Sequence, residues 1–228
     1  NRFYQSAELW LICNIMTLNN LDKKRFLKNF ENKGYILIKN FYNKLTARKI
    51  KTNLKNFLEK NKLNLKGVNL INKKSKINSA HNLQKWQLLK KIQKDNKIKT
   101  IAKILLKGKV KNFGAEVFAK PAKIGLSSPT HQDNFYWNIS NNKGITFWIA
   151  LNKSNKKNGS IFYYEKSHKL GLIQHVPSFA PGSSQKIDSI NKFKKFKKVY
   201  PNLKVGDVLI HHCLIAHGSE KNKSKKNR

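Results

Sequence analysis

Short runs of β-branched and aromatic residues, separated by turn signals, follow one another from Val110 onward and constrain the fold most. The turn signals include Asn141-Asn-Lys-Gly144, Asn158-Gly159 and Gly206-Asp207. Several short strands at this spacing predict a β-sandwich or a barrel. The predicted strand-like runs are 110–120, 131–139, 145–151, 160–164, 199–205 and 208–212, with a long loop at 170–198.

The first half of the chain is predicted to be mostly helical, because apolar residues recur there at helical spacing. The stripes are Leu21, Phe26, Leu27 and Phe30 before Gly34; Ile50, Leu54, Phe57 and Leu58 after Thr46 as a possible N-cap; and a third from Leu83 through Leu105 to Gly108. A short β-rich run at 35–41 interrupts the helices, and residues 61–80 are polar without a clear period. One β core with N-terminal helices packed against it is the simplest architecture.

The charge is strongly unbalanced, with Lys+Arg 48 against Asp+Glu 11 in 228 residues and a formal net charge of +37. Arg occurs only at positions 2, 25, 48 and 228, so 48 − 4 leaves 44 Lys. Recognition of phosphates and bases favours the planar fork of Arg, whereas these Lys residues are dispersed along the chain. We therefore predict no specific nucleic-acid partner and only weak, salt-sensitive polyanion binding. A non-catalytic basic module that binds nucleic acid or another polyanion is kept as the alternative.

The length suits a single domain. The chain begins at Asn1 and its only Met is Met16, so we interpret residues 1–15 as a possible upstream extension and residues 16–228 as one domain truncated at its C-terminal end. Cys13 and Cys213 lie far apart and suggest no disulfide framework, which favours a cytoplasmic location. The sequence contains neither a run as long as a transmembrane helix nor a signal-peptide pattern, so we predict no membrane partner. It leaves the oligomeric state open.

His131 and Asp133 belong to a His-Gln-Asp group, and residues i and i+2 of a strand point to the same face. His217 lies far downstream, just after a strand-like run. Two His and one carboxylate form the ligand set of non-haem Fe(II) oxygenases, whose open positions admit a chelating cosubstrate and O₂. A His-x-Asp group is also common by chance, and a surface turn after Pro129-Thr130 would explain this one equally simply.

Arg228 lies eleven residues after His217 and is one of only four Arg. A guanidinium group is a natural bidentate partner for the far carboxylate of a dicarboxylic cosubstrate. On the residues alone, Arg228 is equally well explained as the last residue of a basic tail. Lys225 and Lys226 are the alternative cations for the same carboxylate.

Five motifs occur in order along the chain: His131-Gln-Asp133-Asn-Phe-Tyr-Trp137, Thr146-Phe-Trp-Ile-Ala-Leu151, Asn158-Gly159, Ser167-His168-Lys169, and Gly206-Asp-Val-Leu-Ile-His-His212 running to His217-Gly-Ser219. Together they resemble the phytanoyl-CoA dioxygenase family, and the resemblance runs from about Lys28 to Arg228. It implies a mainly β fold with flanking α-helices, in which a double-stranded β-helix (jelly-roll, cupin-like) core carries N-terminal helices. It also implies an enzyme that uses Fe(II), 2-oxoglutarate and O₂ to hydroxylate a small-molecule substrate, with release of succinate and CO₂. If the resemblance holds, the alternative to an active enzyme is a truncated, inactive member of the family.

The resemblance also assigns roles by position, and it implies no catalytic residue beyond the metal ligands. The matched positions are His131, Asp133 and His217 for the iron ligands; Arg228 and Ser219 for the far carboxylate of 2-oxoglutarate; and Trp148, Gln132 and Lys120 around the cosubstrate. On a regular strand Gln132 points away from its two neighbours, so only a turn would bring it to the cosubstrate. Because related halogenases replace the carboxylate with a small residue, Asp133 favours hydroxylation or a related oxidation over halogenation.

The sequence departs from the family pattern at two places. Glu165-Lys166 stands where family members have Pro-Gly before the Ser-His motif. The chain also ends at Arg228, which predicts an unpaired sheet edge and a poorly anchored Arg228. Among the other histidines, the neighbours His211 and His212 should face opposite sides of a strand, one towards the core and one near the site.

Overall fold

The computed structural model of the chain describes residues 20–61, 67–71, 76–83, 86–180 and 183–228. The predicted boundary after residue 15, together with Cys13 and Met16, lies outside these residues. In the described part of the chain, no helix is long and apolar enough to cross a membrane.

Helices precede most of the strands. The helices are α1 Asn20–Lys33, α2 Lys44–Asn61, α3 Gln87–Gln93, α4 Asn96–Leu106 and α5 Asp133–Trp137, with short 3₁₀ turns at Lys156–Asn158, Ser167–Leu170 and Ile190–Phe193. The strands are β1 Tyr35–Ile38, β2 Val68–Ile71, β3 Lys76–Ala80, β4 Val117–Phe118, β5 Ser128–His131, β6 Ile145–Ile149, β7 Ile161–Tyr164, β8 His175–Ala180, β9 Ser183–Ile187, β10 Lys198–Val199, β11 Val208–His212 and β12 His217–Ser219.

Two antiparallel sheets make the core, a three-stranded sheet in the order β1-β11-β6 and a four-stranded sheet in the order β10-β7-β12-β5. Side chains from both sheets meet in one buried cluster, which includes Tyr163, Leu209 and Ile215. The fold is therefore mainly β, with a double-stranded β-helix core and N-terminal helices, as predicted. A further three-stranded sheet, β2-β3-β4, and the β8-β9 hairpin flank this core.

Strand β11 is apolar on both sides because each of its faces is covered. Val208 and Ile210 pack under the N-terminal helices, beside Phe26, Phe30 and Ile101. Leu209 packs between the two sheets, and the next inward-facing residue is His211. The same alternation in β6 turns Phe147 towards the helices and Trp148 towards the space between the sheets.

The predicted helices are present, with corrected ends. Helix α2 begins before Thr46, and Asn43 is the residue that caps it, since its Oδ1 accepts a hydrogen bond from the Thr46 N–H at 2.8 Å. The third stripe is two helices rather than one, because Asp95 accepts from the Lys97 N–H at 2.8 Å and starts α4. The ambiguous stretch 61–80 contains β2 and β3.

Several predicted strand boundaries are wrong. The run 131–139 is a strand only as far as His131 and then becomes α5. Only Val117–Phe118 and Lys198–Val199 form strands in the runs 110–120 and 199–205. The predicted loop 170–198 contains the β8-β9 hairpin, in which Pro177 lies opposite Gln185.

Lys166 takes the conformation that a glycine favours. Its φ of +71° lies in the left-handed region, at the position where the resemblance implies Gly. The turn is held in place by the Lys166 N–H, which donates to the Lys33 carbonyl oxygen at 3.0 Å, and by the Glu165 N–H, which donates to Lys197. The shape of the turn is thus reached by a lysine at a cost in backbone strain.

Candidate metal centre

The side chains of His131, Asp133 and His217 converge between the two sheets. Each offers one ligand atom, and the three atoms lie within 4.8 Å of one another. Oδ1 of Asp133 is 3.5 Å from Nε2 of His217 and 3.8 Å from Nε2 of His131. Two atoms bonded at about 2 Å to one ion lie at most about 4 Å apart, so both separations measured from Asp133 are compatible with one ion. The structure therefore brings together the three residues that the sequence analysis selected as metal ligands.

The two histidines meet because of strand register. Strand β12 pairs with β5 so that His217 lies directly opposite His131, and their ring centroids are 4.3 Å apart. Asp133 reaches the same point from the first position of α5, since Gln132 is still extended and the chain turns into a helix after it. The prediction that His131 and Asp133 lie on one face of a strand was therefore wrong, although their side chains do meet at one site.

The backbone orients both imidazole rings. Nδ1 of His131 lies 2.8 Å from the Pro129 carbonyl oxygen, and Nδ1 of His217 lies 3.0 Å from that of Ile215. A carbonyl can only accept, so each Nδ1 carries the hydrogen and each Nε2 presents its lone pair. This is the tautomer that a metal ligand needs when it binds through Nε2.

The carboxylate of Asp133 divides its two oxygens between two tasks. Oδ2 accepts hydrogen bonds from Oγ1 of Thr146 at 2.6 Å and from Nε2 of His211 at 3.0 Å. Oδ1 is left facing the Nε2 atoms of His131 and His217. Asp133 can therefore offer one oxygen to a metal while its neighbours hold the other.

The site is in the protonation state that a metal requires. Burial raises the pKa of Asp133, but interactions with His217, His211 and His131 outweigh it and hold that pKa well below its usual range. Burial, assisted by His131 and opposed by Asp133, lowers the pKa of His217 to about 3. At neutral pH the carboxylate is ionised and His217 is neutral, so no proton has to leave either group before metal binding.

The guanidinium group of Arg228 lies beside Trp148, whose side chain packs between the two sheets. The centre of its guanidinium group lies 5.4 Å from the Trp148 ring centroid. Its Nε is buried without a hydrogen-bond partner among the described residues, and burial lowers the pKa of Arg228 to about 10. An unpartnered buried donor is costly, so the arrangement suits an anionic ligand.

Arg228 is firmly anchored, which contradicts the expectation of a loose chain end. Its N–H donates to the Lys120 carbonyl oxygen at 3.0 Å, and the Lys120 N–H donates to the Arg228 carbonyl oxygen at 2.8 Å. Asn222 shapes the intervening turn, because its Nδ2 donates to Lys120 at 2.8 Å and to Lys226 at 2.9 Å.

Lys120 lies beside Arg228 and is only 3% exposed. Its Nζ donates to the carbonyl oxygens of Leu126 and Glu220. Burial first, and the charge of Arg228 second, lower the pKa of Lys120 to about 7, against the influence of Glu220. Two basic side chains thus meet where the C-terminal segment returns to Lys120, and the charge of Arg228 weakens the proton affinity of Lys120.

With this geometry in place, the comparison with known proteins is decisive. The sequence model described as "Phytanoyl-CoA dioxygenase (PhyH)" matches residues 30–228. The chain belongs to the phytanoyl-CoA dioxygenase family.

Individual relatives agree with this membership at low identity. The bovine (Bos taurus) "Phytanoyl-CoA dioxygenase, peroxisomal" is 29% identical over 112 residues, which are 46% of this chain and 33% of the relative. The zebrafish (Danio rerio) "Phytanoyl-CoA dioxygenase domain-containing protein 1" is 26% identical over 179 residues, which are 75% of this chain and 61% of the relative. The matches thus span between one third and about three fifths of the length of these curated relatives.

A solved structure shares the fold. EctD from S. alaskensis, crystallised with 2-oxoglutarate and 5-hydroxyectoine, superposes with a TM-score of 0.72 over 90% of this chain and 72% of that chain. The sequence identity is 16%, so this likeness supports the double-stranded β-helix core of the family and not a shared substrate.

Two positions taken from the family pattern differ in their surroundings. Ser219 is buried on β12, two residues beyond His217 and opposite Ser128 of β5. The Gln132 side chain is taken up by the backbone, since its Nε2 donates to the carbonyl oxygens of Gly171 at 2.8 Å and Leu214 at 2.6 Å. Its Oε1 accepts from the Ile173 N–H at 2.8 Å, so the side chain braces a loop.

His211 and His212 face opposite sides of β11, as the alternation of a strand predicts. His211 faces the metal site and His212 the helices, where its ring lies 6.2 Å from that of Phe30. His175 accepts the Gln132 N–H at Nε2 and stacks on Phe135 at 4.3 Å. The contact of His211 with Asp133 was missed at the sequence level, although the alternation of β11 indicated that one of the pair would lie near the site.

Proposed function

We propose that this chain is a non-haem Fe(II)- and 2-oxoglutarate-dependent dioxygenase that hydroxylates a small-molecule substrate and releases succinate and CO₂. The observation that carries the proposal is the convergence of His131, Asp133 and His217 between the two sheets, together with the buried Nε of Arg228, which has no hydrogen-bond partner among the described residues. Family membership supports it, as does the presence of 2-oxoglutarate in a crystal structure of the same fold.

The donor set fits iron. Two neutral imidazoles and one carboxylate oxygen leave open positions for a chelating cosubstrate and O₂. Bound Fe(II) would supply the activation of O₂ and the oxidising power for hydroxylation. The protein's own contribution is to hold His131 and His217 by their Nδ1 hydrogens, to keep Asp133 ionised, and to exclude water from the space between the sheets.

The cations set the orientation of 2-oxoglutarate. We assign its far carboxylate to Arg228, whose Nε lacks a partner and whose guanidinium lies against Trp148. Ser219 is proposed to donate its hydroxyl hydrogen to the same carboxylate. The Lys120 amine already donates to two carbonyl oxygens and, with a pKa of about 7, carries its charge only in part at neutral pH, so we assign it a smaller share in holding the cosubstrate.

The carboxylate ligand bears on the reaction type. Because Asp133 occupies the third ligand position, no space is left there for a halide, and hydroxylation or a related oxidation is favoured over halogenation. The substrate is assigned only as a small molecule. A cytoplasmic location stays a prediction from the cysteine usage.

Succinate formation tests the proposal. Purified chain is incubated with 2-oxoglutarate and a panel of candidate substrates, with and without Fe(II), and succinate is measured by chromatography. Succinate formation that requires Fe(II) and that is lost in His131→Ala and Asp133→Ala is expected. His212→Gln, which alters a histidine on the opposite face of β11, is the matched control and should keep the activity. If both ligand variants form succinate at the wild-type rate, the assignment is wrong.

A further inference from the structure

We propose that His211, held by Tyr163, is a positioning residue that keeps Asp133 a one-oxygen metal ligand and thereby strengthens metal binding. This inference rests on the metal site of the proposed function. It concerns a residue to which the family pattern assigned no role above.

The three side chains form a continuous hydrogen-bonded chain inside the core. His211 is 1% exposed on the inner face of β11. Its Nε2 lies 3.0 Å from Oδ2 of Asp133, and its Nδ1 lies 2.9 Å from the hydroxyl oxygen of Tyr163. Both ring nitrogens are therefore engaged, one by the metal ligand and one by the core.

The chemistry of the partners fixes the direction of these bonds. An ionised carboxylate only accepts, so Nε2 of His211 must carry the hydrogen that points at Oδ2. In the neutral ring Nδ1 then has the lone pair, and it accepts the phenolic hydrogen of Tyr163. A flipped tautomer would put two acceptors, Nε2 and Oδ2, against each other.

Tyr163 can act as a rigid support because it is fully buried and held from the other side. Its ring stacks on that of Tyr35, with centroids 4.7 Å apart. Tyr35 in turn donates its hydroxyl hydrogen to Oε2 of Glu165 at 3.1 Å. The support therefore runs from the site across the core to the sheet edge.

The two hydrogen bonds at Oδ2 of Asp133 favour metal binding through Oδ1 alone. Thr146 and His211 both donate to that oxygen, and a carboxylate that turned to bind a metal through both oxygens would lose them. Only Oδ1 faces the Nε2 atoms of His131 and His217. With one ligand atom from each of three residues, a bound Fe(II) would keep open positions for the cosubstrate and O₂.

The affinity of the metal-free chain for Co(II), an ion stable in air, tests this role by isothermal titration calorimetry. Removing a hydrogen-bond partner of a metal ligand typically costs 10–100-fold in affinity, so His211→Phe should weaken Co(II) binding by about that factor. His211→Gln, which can still donate an N–H to Asp133, should recover part of the loss. His212→Phe, the neighbouring ring on the opposite face, should bind Co(II) like the wild type.

A second variant separates positioning from folding. His211→Phe leaves the Tyr163 hydroxyl buried without a partner, whereas the double variant His211→Phe/Tyr163→Phe removes both polar groups. The double variant should fold and still bind Co(II) about 10–100-fold more weakly. In turnover assays the apparent KM for Fe(II) should rise in both variants, while the KM for 2-oxoglutarate stays the same.

The outcomes distinguish this inference from the proposed function. If the wild type binds one Co(II) per chain and Asp133→Ala does not, the metal site stands. Folded His211→Phe or double-variant protein that then binds Co(II) within twofold of the wild type would overturn the role of His211 alone. No Co(II) binding by the wild type would overturn the inference together with the metal site on which it rests.

Discussion

Replacing Asn222 by Ala should weaken both the fold and the hold on 2-oxoglutarate. Asn222 is fully buried in the turn that returns Arg228 to Lys120. Its Nδ2 donates to the carbonyl oxygens of Lys120 and Lys226, and its Oδ1 accepts from the N–H and the hydroxyl of Ser224 at 2.9 and 2.8 Å. The variant removes the two Nδ2 bonds and the bond from the Ser224 N–H, whereas the single hydroxyl hydrogen of Ser224 can still turn to the Lys226 carbonyl oxygen. The backbone is otherwise unchanged.

The expected loss of folding stability depends on which hydrogen bonds the partners of Asn222 keep in the variant. The Lys120 carbonyl keeps the Arg228 N–H, and the Lys226 carbonyl keeps the Ser224 hydroxyl, so neither is orphaned. Ser224 is only partly buried and water can replace its lost acceptor. With about 0.5–1.5 kcal/mol per hydrogen bond and this partial compensation, the free energy of unfolding should fall by about 2 kcal/mol.

The assay pairs urea unfolding with the KM for 2-oxoglutarate. Asn222→Ala should raise this KM, because Arg228 loses the turn that positions it, while the affinity for metal stays at the wild-type value. Asn202→Ala, at an exposed position, is the control and should change neither quantity. A stability loss of about 2 kcal/mol with an unchanged KM would refute the claim that the turn positions Arg228.

Three other predictions concern His212, Lys166 and the net charge of the chain. Burial first, and then His168 and His211, lower the pKa of His212 to about 4. Because the unfolded chain takes up this proton near pH 6.5, the free energy of unfolding should fall as the pH is lowered from 6.5 to 4. His212→Gln should flatten that slope in urea unfolding measured at several pH values. A slope that does not change would contradict the assignment. Lys166→Gly should raise the free energy of unfolding by about 0.5–1 kcal/mol in thermal melts, because relief of the +71° φ exceeds the extra chain entropy of Gly; a lower melting temperature would contradict it. The net charge of +37 should give nucleic-acid binding at low salt that disappears near 0.15 M NaCl in a filter-binding assay; binding that persists there would favour a dedicated polyanion surface.

The sequence was sufficient for the fold class and for selecting three residues that the structure brings together, but not for the local reason that joins them. Residues 133–137 read as strand because Phe135, Tyr136 and Trp137 are aromatic, whereas the chain forms a helical turn there. That turn ends at Asn138 in a left-handed conformation, and the Asn134 side chain binds the Ile139 backbone. Tertiary contacts of this kind override local β-propensity.

Long-range hydrogen bonds account for what could not be predicted. The anchoring of Arg228 depends on reciprocal bonds to the backbone of Lys120, more than one hundred residues earlier, and on the buried Asn222. The role of Gln132 as a brace likewise depends on carbonyl groups of Gly171 and Leu214, which a strand pattern does not reveal. In the β8-β9 hairpin, Pro177 and its neighbours predicted a loop, because prolines usually mark strand edges and turns.

The alternation of inward-facing and outward-facing side chains along β11 predicts which of its two histidines lies near the metal site. Leu209 faces inward between the sheets, so His211, two residues later, had to share that face. What the pattern could not give is the partner of His211. The Asp133 carboxylate reaches it from a different sheet and from the first turn of a helix.

Anaerobic titration of the metal-free chain with Fe(II) in the presence of 2-oxoglutarate tests the central claim most directly. Chelation of 2-oxoglutarate by protein-bound Fe(II) gives a visible charge-transfer absorption that neither component gives alone. The account predicts this absorption with one Fe(II) per chain in the wild type, its loss in Asp133→Ala, and a higher 2-oxoglutarate requirement in Arg228→Gln. The absence of the absorption in the wild type, or an equal absorption in Asp133→Ala, would contradict it.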